Sequence, residues 1–522
     1  MANELRNRVD NWDFKEYVLG FLFYRCISEK LRNEINENER KNNPNFNYAS
    51  LKDEEVPEGM KELLRTEKGY FILPSDLFEN VLESFKKSRD NAQERLKKAF
   101  DNISYSARGG SNESNFQGLF SIIQLNNNWK LGETVDQKNK TIAKILEGIN
   151  DMRAPKGDQE DFDLFGVAYE DLIHNYASDA KKKGGDFFTP AEVSELLAEL
   201  ALNNRTKINK VYDPACGSGA LLLKFLEAIK KRGGHLKKIC GQEVNATTHK
   251  LCVMNMFLRN INYSNFNIIF GDTLLSPVAK EHMDTDAIIS NPPYSAGWKG
   301  SDDPEIIADR RYAVAGALAP RSKSDLAFVM HSCHCLRNSG GIAAIVLFPG
   351  VFYRQGSEQK IRQYLLDNNF VDSIIALAGN LFYGTSIETC ILVLKKGRQE
   401  TDVLFIDARN EFLKVKKKNR LTSENIKKIL NVYFKREEIP LFSRLVSYEE
   451  IKEQEYNLSI NKYIFPEEEK EGINIAKVNQ EMAFAEEEIR VLKENLNKVI
   501  TEIKEYLQNN DQSEKDVEIP EF

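Results

Sequence analysis

Val211-Tyr-Asp-Pro-Ala-Cys-Gly-Ser-Gly219 joins a short apolar run to an amphipathic one, Ala220–Lys231. A strand that closes on glycines and passes straight into a helix makes a sharp turn, where a missing Cβ lets the backbone bend and approach a ligand. The N–H groups at the helix start then point at that ligand. Outward from this turn, short β-branched runs recur up to about Arg409: Lys210–Asp213, Lys238–Val244, Asn267–Gly271, Ala287–Ser290, Gly341–Phe348, Val371–Leu377, Thr389–Leu394 and Val403–Ile406. Amphipathic stretches such as Ala246–Arg259 lie between most of them. This alternation predicts an α/β fold, a doubly wound, mostly parallel sheet with helices on both faces. Ligands of such sheets sit beyond the carboxyl ends of the strands.

The flanks have other textures. Before about residue 165 the pattern is helical, with Phe14, Val18, Leu22, Ile27 and Leu31 at helical spacing in Trp12–Leu31, and further helical pattern over Val81–Phe100 and Thr141–Gly148. The polar stretch Asn33–Asn47 reads as a loop. In the tail, Ile475, Val478, Met482, Ala485, Ile489, Leu492, Leu496, Val499, Ile503 and Tyr506 alternate spacings of three and four, with Glu and Lys dominating between them. That is a coiled-coil-like heptad seam that wants another helix, from this chain or from a partner. Asn509–Phe522 reads as disordered. The expected domains are 1–165 (helical), 166–410 (the α/β sheet) and 411–522 (a long docking helix).

Composition narrows the class. The 522 residues are 41% hydrophobic and 29% charged, ordinary for a globular protein. No apolar run approaches the ~20 residues a membrane span needs, and the polar start MANELRNRVDNWDF lacks a signal core, so a cytoplasmic location is expected. Seven cysteines, an odd number without an export signal, read as buried or bystander thiols. A net charge of −7 is not that of a protein gripping nucleic acid by bulk charge. A local basic patch or a partner would have to supply that grip, and Lys181–Lys183 and Lys416–Lys418 are the local candidates, each equally readable as solvated loop lysines.

Three successive strand ends carry an acid: Asp213, Glu243 and Asp272. Glycine turns also serve dinucleotides, but Asp213 beside Gly217 and Gly219 would repel a pyrophosphate and attract an ammonium. S-adenosylmethionine offers an ammonium and no phosphate. Glu243 is placed to take both ribose hydroxyls, as acids do in dinucleotide folds. Asp272 is placed to accept from an adenine amino group, with Phe270 or its neighbours beside the ring.

The fourth run ends Ser290-Asn-Pro-Pro-Tyr294. Consecutive prolines keep the backbone extended and remove competing N–H groups. The lone pair of an aromatic amine is delocalised into its ring, and two acceptors gripping the amino hydrogens draw that nitrogen towards a pyramidal, nucleophilic form. The Asn291 side-chain oxygen and the Pro292 carbonyl suit this task, with Pro293 holding the turn. Tyr294 can stack on a base flipped from a duplex. Asn-Pro also occurs in plain turns, a reading that the upstream glycine turn disfavours.

With these residues in place, the sequence resembles the amino-directed DNA methyltransferases. Asp213, Pro214, Ala215, Gly217, Ser218 and Gly219 match their S-adenosylmethionine motif, and Asn291, Pro292, Pro293 and Tyr294 their catalytic motif. Gly184-Gly-Asp-Phe-Phe-Thr-Pro190 resembles the additional cofactor motif that precedes the glycine turn in the gamma arrangement, implying that Asp186, Phe187, Phe188, Thr189, Pro190 and Ala191 line the cofactor pocket. Lys15–Arg25, Ser324-Asp-Leu-Ala-Phe328, Gly340-Gly341 and Leu347-Phe-Pro-Gly350 narrow the resemblance to modification subunits of type I restriction–modification systems, over about 90% of the chain. The resemblance implies a Rossmann-like catalytic domain that methylates the adenine amino group in double-stranded DNA. It implies two such subunits on one sequence-specificity subunit, a separate restriction subunit in the full complex, and a helical N-domain that helps close around DNA.

Rival readings remain. Asn-Pro-Pro-Tyr also serves methylation of a protein glutamine, RNA amines are a further acceptor class, and a scaffold could keep the fold without turnover. His331, Cys333, His334 and Cys335 fit no usual zinc spacing, and Cys333 lies off the face the other three share. Helix packing explains them, and no metal is expected.

Overall fold

The computed structural model describes residues 11–88, 90–108, 113–125, 131–152, 169, 172–173, 189–276, 280–382, 385–416, 418–465 and 475–510. The chain forms two compact units, Met1–Ile464 and Phe465–Phe522.

The first unit opens with helices α1 (Asn11–Glu39), α2 (Glu58–Lys68), α3 (Phe78–Lys87), α4 (Ala92–Ser106) and α5 (Val135–Asn150). Every residue from Tyr17 to Tyr24 is buried, so α1 is surrounded on all sides, as its all-round apolar sequence requires. The expected loop at Asn33–Asn47 begins later than its polarity suggests. Ile35 follows Leu31 by one turn and is buried, and Asn36 Oδ1 accepts the Tyr48 N–H at 2.7 Å, so the helix runs on to Glu39. The expected Val81–Phe100 helix is two helices, broken where Ser88 turns extended. α5 begins earlier than Thr141 because Thr134 and Gln137 form a reciprocal capping box.

The sheet has nine strands in the order β11-β8-β6-β7-β5-β4-β1-β2-β3. They are β1 (Lys207–Asp213), β2 (His235–Glu243), β3 (Phe266–Phe270), β4 (Ala287–Ser290), β5 (Ile342–Leu347), β6 (Val371–Leu377), β7 (Thr389–Lys395), β8 (Val403–Ala408) and β11 (Ser443–Val446), while β9 (Leu413–Val415) and β10 (Lys418–Arg420) pair as a separate hairpin. All pairings in the sheet are parallel except those of β7 and β11. Each expected strand is present, with ends shifted by no more than three residues. β9, β10 and β11 were not expected, and β11 carries the sheet past residue 410, where the sequence placed its end.

Successive strand residues point to opposite faces, and each face has its own core. Val211, Ile289, Ala344 and Val346 pack with α6 (Ala191–Leu202), α7 (Ala220–Lys231) and α8 (Ala246–Leu258), and with the N-terminal helices. Tyr212, Ile288, Ala343 and Ile345 pack with α9 (Asp325–Cys335) and α10 (Ser357–Asp367). The order reverses between β1 and β4, because β2 and β3 extend to one side of β1 and β4 to the other. The crevice at such a switch point is where doubly wound sheets bind, and Asp213 and Asn291 stand at its two lips.

The first unit also holds α11 (Ser423–Lys435); in the second unit, α12 (Ile475–Asn510) is one 36-residue helix. Met482, Ile489, Leu492, Leu496, Val499, Ile503 and Tyr506 of its seam are all exposed. Asn509 and Asn510 complete the helix, contrary to the disorder expected there; 511–522 lie outside the described residues.

Candidate active site

The glycine turn is tied to the neighbouring strand ends. Cys216 N–H donates to the Gln242 carbonyl at 3.0 Å and Gly217 N–H to Glu243 Oε2 at 3.0 Å. Thr273 Oγ1 donates to the Pro214 carbonyl. Ser290 Oγ donates to Asp213 Oδ1 at 2.9 Å, joining the end of β4 to the end of β1. The three expected acids and the Asn-Pro-Pro-Tyr segment therefore converge on one crevice.

The glycines differ in what they do. Both sit at positive φ, 53° for Gly217 and 83° for Gly219. A Cβ on Gly217 would meet open space, whereas one on Gly219 would lie 2.7 Å from Met256 Cε and 2.8 Å from Cys252 Sγ. Gly217 faces the crevice; Gly219 lets α7 pack on α8. Ser218 is buried behind the turn, its carbonyl accepting from Asn255 Nδ2.

Asp213 is fully buried. Its Oδ1 accepts from Ala215 N–H at 3.0 Å as well as from Ser290, while Oδ2 has no hydrogen-bond partner among the described residues. Burial pushes its carboxyl up to about 7, and Glu243 nearby adds to the rise. Glu243 Oε1 also accepts from Asn245 N–H at 2.7 Å. Asp272 Oδ1 holds its own turn by accepting from Leu274 N–H at 2.9 Å, and Phe270 is exposed with its ring 5.8 Å from His249.

At the other lip, Asn291 Nδ2 donates to Thr189 Oγ1 at 2.9 Å, and the Tyr294 hydroxyl donates to Asn291 Oδ1. This fixes the amide with its oxygen turned towards Tyr294. The Pro292 carbonyl accepts no hydrogen bond from the described residues. The Tyr294 ring lies 4.1 Å from the Phe348 ring and 6.5 Å, nearly perpendicular, from that of Phe382. Ser295 adopts φ 49°, and its N–H donates to both oxygens of buried Asp325 at 3.2 and 3.3 Å.

A match to the N-6 DNA methylase model covers residues 160–472, and one to the HsdM N-terminal domain covers residues 1–149. The MpnII methylase subunit, a type I restriction enzyme chain of Mycoplasma pneumoniae, is 42% identical over 97% of this chain and 95% of its own. The chain belongs to the N-6 DNA methylases, among the methylase subunits of type I restriction enzymes. The MjaVII methylase subunit of Methanocaldococcus jannaschii is 30% identical over 92% of this chain and 79% of its own. The crystal structure of the type I restriction–modification methyltransferase subunit from Streptococcus thermophilus superposes with a TM-score of 0.79, at 34% identity, over 89% of this chain and 97% of that one. This methylase is thus an adenine-directed DNA methyltransferase of a class that depends on S-adenosylmethionine, working as the modification subunit of a restriction–modification system.

Thr189 reaches Asn291, and Pro190 caps α6 by accepting from Ser194. Ala191 is exposed in a groove with Glu195 and Lys224. Asp186, Phe187, Phe188 and Lys181–Lys183 lie outside the described residues. Sequence reasoning gave no role to Ser290, Asp325, Phe348 or Phe382, because their partners are remote in the chain. His331 belongs to a buried polar group, 3.0 Å from the Tyr212 hydroxyl and 3.1 Å from Arg311. Burial first, then Arg311, holds its pKa well below the ordinary imidazole range. No helix among the described residues is long and apolar enough to cross a membrane.

Proposed function

We propose that the methylase holds the target adenine between Asn291 and Pro292 and takes the methyl group from S-adenosylmethionine seated at the glycine turn. The observation that carries this reading is the double tie of Asn291, which leaves its amide oxygen oriented as an acceptor at the switch-point crevice. The residues fit the cofactor. Oδ2 of Asp213 is a buried acceptor lacking a partner among the described residues, of the kind an ammonium satisfies. Gly217 opens onto free space, and Glu243 stands across the turn from it. Thr189, Pro190, Pro214, Ala215, Ser218, Gly219 and Asp272 complete the proposed lining, together with Asp186, Phe187, Phe188 and Ala191.

When bound, S-adenosylmethionine supplies an electrophilic methyl group on its sulfonium. The rest falls to the chain. Asn291 Oδ1 and the Pro292 carbonyl accept from the two amino hydrogens and so localise the nitrogen lone pair. Pro293 restricts the backbone of Pro292 to an extended conformation and so fixes the direction of the Pro292 carbonyl. Tyr294 offers the ring on which the extruded base stacks. Fixing the amine in this geometry provides much of the acceleration.

We also infer the division of labour: residues 1–165 help close around double-stranded DNA, 166–410 together with β11 carry the chemistry, and the α12 seam docks a specificity subunit, two methylases to one, with a restriction subunit in the full complex. The net charge of −7 and the exposed seam support this reading. Asn291→Ala, assayed with the specificity subunit, tests the site: S-adenosylmethionine affinity is expected to stay within about twofold of wild type while methyl transfer is abolished, and retained full turnover would refute the role.

A further inference from the structure

Hairpin β9–β10 lies outside the nine-stranded sheet. Its position follows from strand direction. β4 and β5 are parallel, β7 runs against both β5 and β6, and β8 is parallel to β6. β6 and β8 therefore end on the same edge of the sheet as β4, where Asn291 stands. β8 feeds the hairpin through 409–412, and β6 leads through Gly379 and Asn380 to Phe382, which packs against Tyr294. The hairpin is fastened to that second segment: Asn419 N–H donates to the Asn380 carbonyl at 3.1 Å and Asn419 Nδ2 to the Gly379 carbonyl at 2.8 Å. It is held on the far side by Arg420, which pairs with Glu192 of α6.

The hairpin carries positive charge to that edge. Lys414 lies directly opposite Asn419 in the antiparallel register, so both side chains share the face that meets the segment leading to Phe382. Lys416 occupies the hairpin turn at φ 56°. Both lysines are exposed, and neither has an acidic partner in an ion pair among the described residues. In a chain of net charge −7, cations presented without counter-charge at the rim of the catalytic crevice attract an anion, and the polyanion that must reach this crevice is the DNA backbone.

We propose that β9–β10 is a phosphate-gripping arm, with Lys414 and Lys416 on the sugar–phosphate backbone beside the adenine drawn into the site. The contact positions DNA without reading its sequence. The proposal rests on Asn291–Tyr294 being the adenine site. The kcat, which that site governs, is read separately from the KM for DNA, which the arm governs.

The test uses the methylase co-purified with its specificity subunit, unmethylated plasmid DNA and labelled S-adenosylmethionine over a salt series. Lys414→Glu with Lys416→Glu is expected to raise the KM for DNA by roughly tenfold or more. It is also expected to make the log–log salt dependence shallower by about 2, since each phosphate that a lysine neutralises adds about 0.9 to the slope. The kcat at saturating DNA and the S-adenosylmethionine affinity stay at wild-type values. Lys414→Arg with Lys416→Arg, which keeps the charge, restores KM and slope. A KM and slope equal to wild type in the Glu variant overturn the proposal. Dissociation of the specificity subunit from that variant also overturns it, since Leu413 and Val415, exposed on the opposite face, would then mark the hairpin as a subunit interface.

Discussion

The Asn291 amide is oriented by Thr189, remote in sequence, and by Tyr294, three residues on. Thr189 takes one amide hydrogen, and Thr189→Val removes that tie, so that of the pair described above the Tyr294 hydroxyl alone still orients the amide. The loss of one such bond is worth about 1 kcal/mol, so a fall in kcat of roughly five- to tenfold with little change in S-adenosylmethionine affinity is expected by steady-state kinetics. Asp213 gives a pH signature. Folded and ligand-free, its carboxyl keeps a proton up to about 7, whereas an unfolded chain releases it near pH ~4. The stability contributed by the neutral form is thus complete below about pH 4 and is lost as pH rises through the folded value. An ammonium ligand prefers the ionised carboxylate, so cofactor affinity should strengthen as pH rises towards about 7 and level off above it. Calorimetric titration of Asp213→Asn should lose that slope, and an unchanged slope would detach Asp213 from the ammonium. The acids and the Asn-Pro-Pro-Tyr segment were legible in the sequence because each is a local motif. The Ser295–Asp325 tie and the Tyr294–Phe348 contact were not, because a carboxylate or ring from a distant segment leaves no local mark.

At the level of elements, the glycine turn separates two functions that the sequence presents as one. Gly219→Ala combines an unfavourable φ with a clash against Met256 and Cys252, and is expected to destabilise the fold by about 1–3 kcal/mol in thermal or urea melts. A Cβ on Gly217 would meet no atom within 4 Å, so Gly217→Val carries the strain of its φ of 53° but no clash at that atom. It is expected to abolish S-adenosylmethionine binding while the protein stays folded, and unchanged affinity would move the pocket elsewhere. Strands β1 to β8 were readable because each holds a short β-branched or apolar run, and amphipathic helical stretches lie between most of them. β9, β10 and β11 are short and carry Lys or Arg, so no period shows. α1 exceeds its expected length because one buried isoleucine outweighs its polar neighbours.

For the whole molecule, the net charge of −7 and the exposed seam on the tail helix fit the proposed docking of a specificity subunit. Leu492→Glu with Leu496→Glu changes two exposed seam positions. The specificity subunit is expected to fall away on co-purification while S-adenosylmethionine affinity is kept; retention of the subunit would place the docking surface elsewhere. The chain methylates adenine in DNA and, as proposed above, needs a partner to do so. The most direct measurement is transfer from labelled S-adenosylmethionine to unmethylated DNA, with nucleoside analysis, with and without the co-expressed specificity subunit. Methylated deoxyadenosine is expected only when the partner is present. Label in DNA from the chain alone would contradict the division of labour, and no label in DNA under either condition, with cofactor bound, would contradict the claim itself.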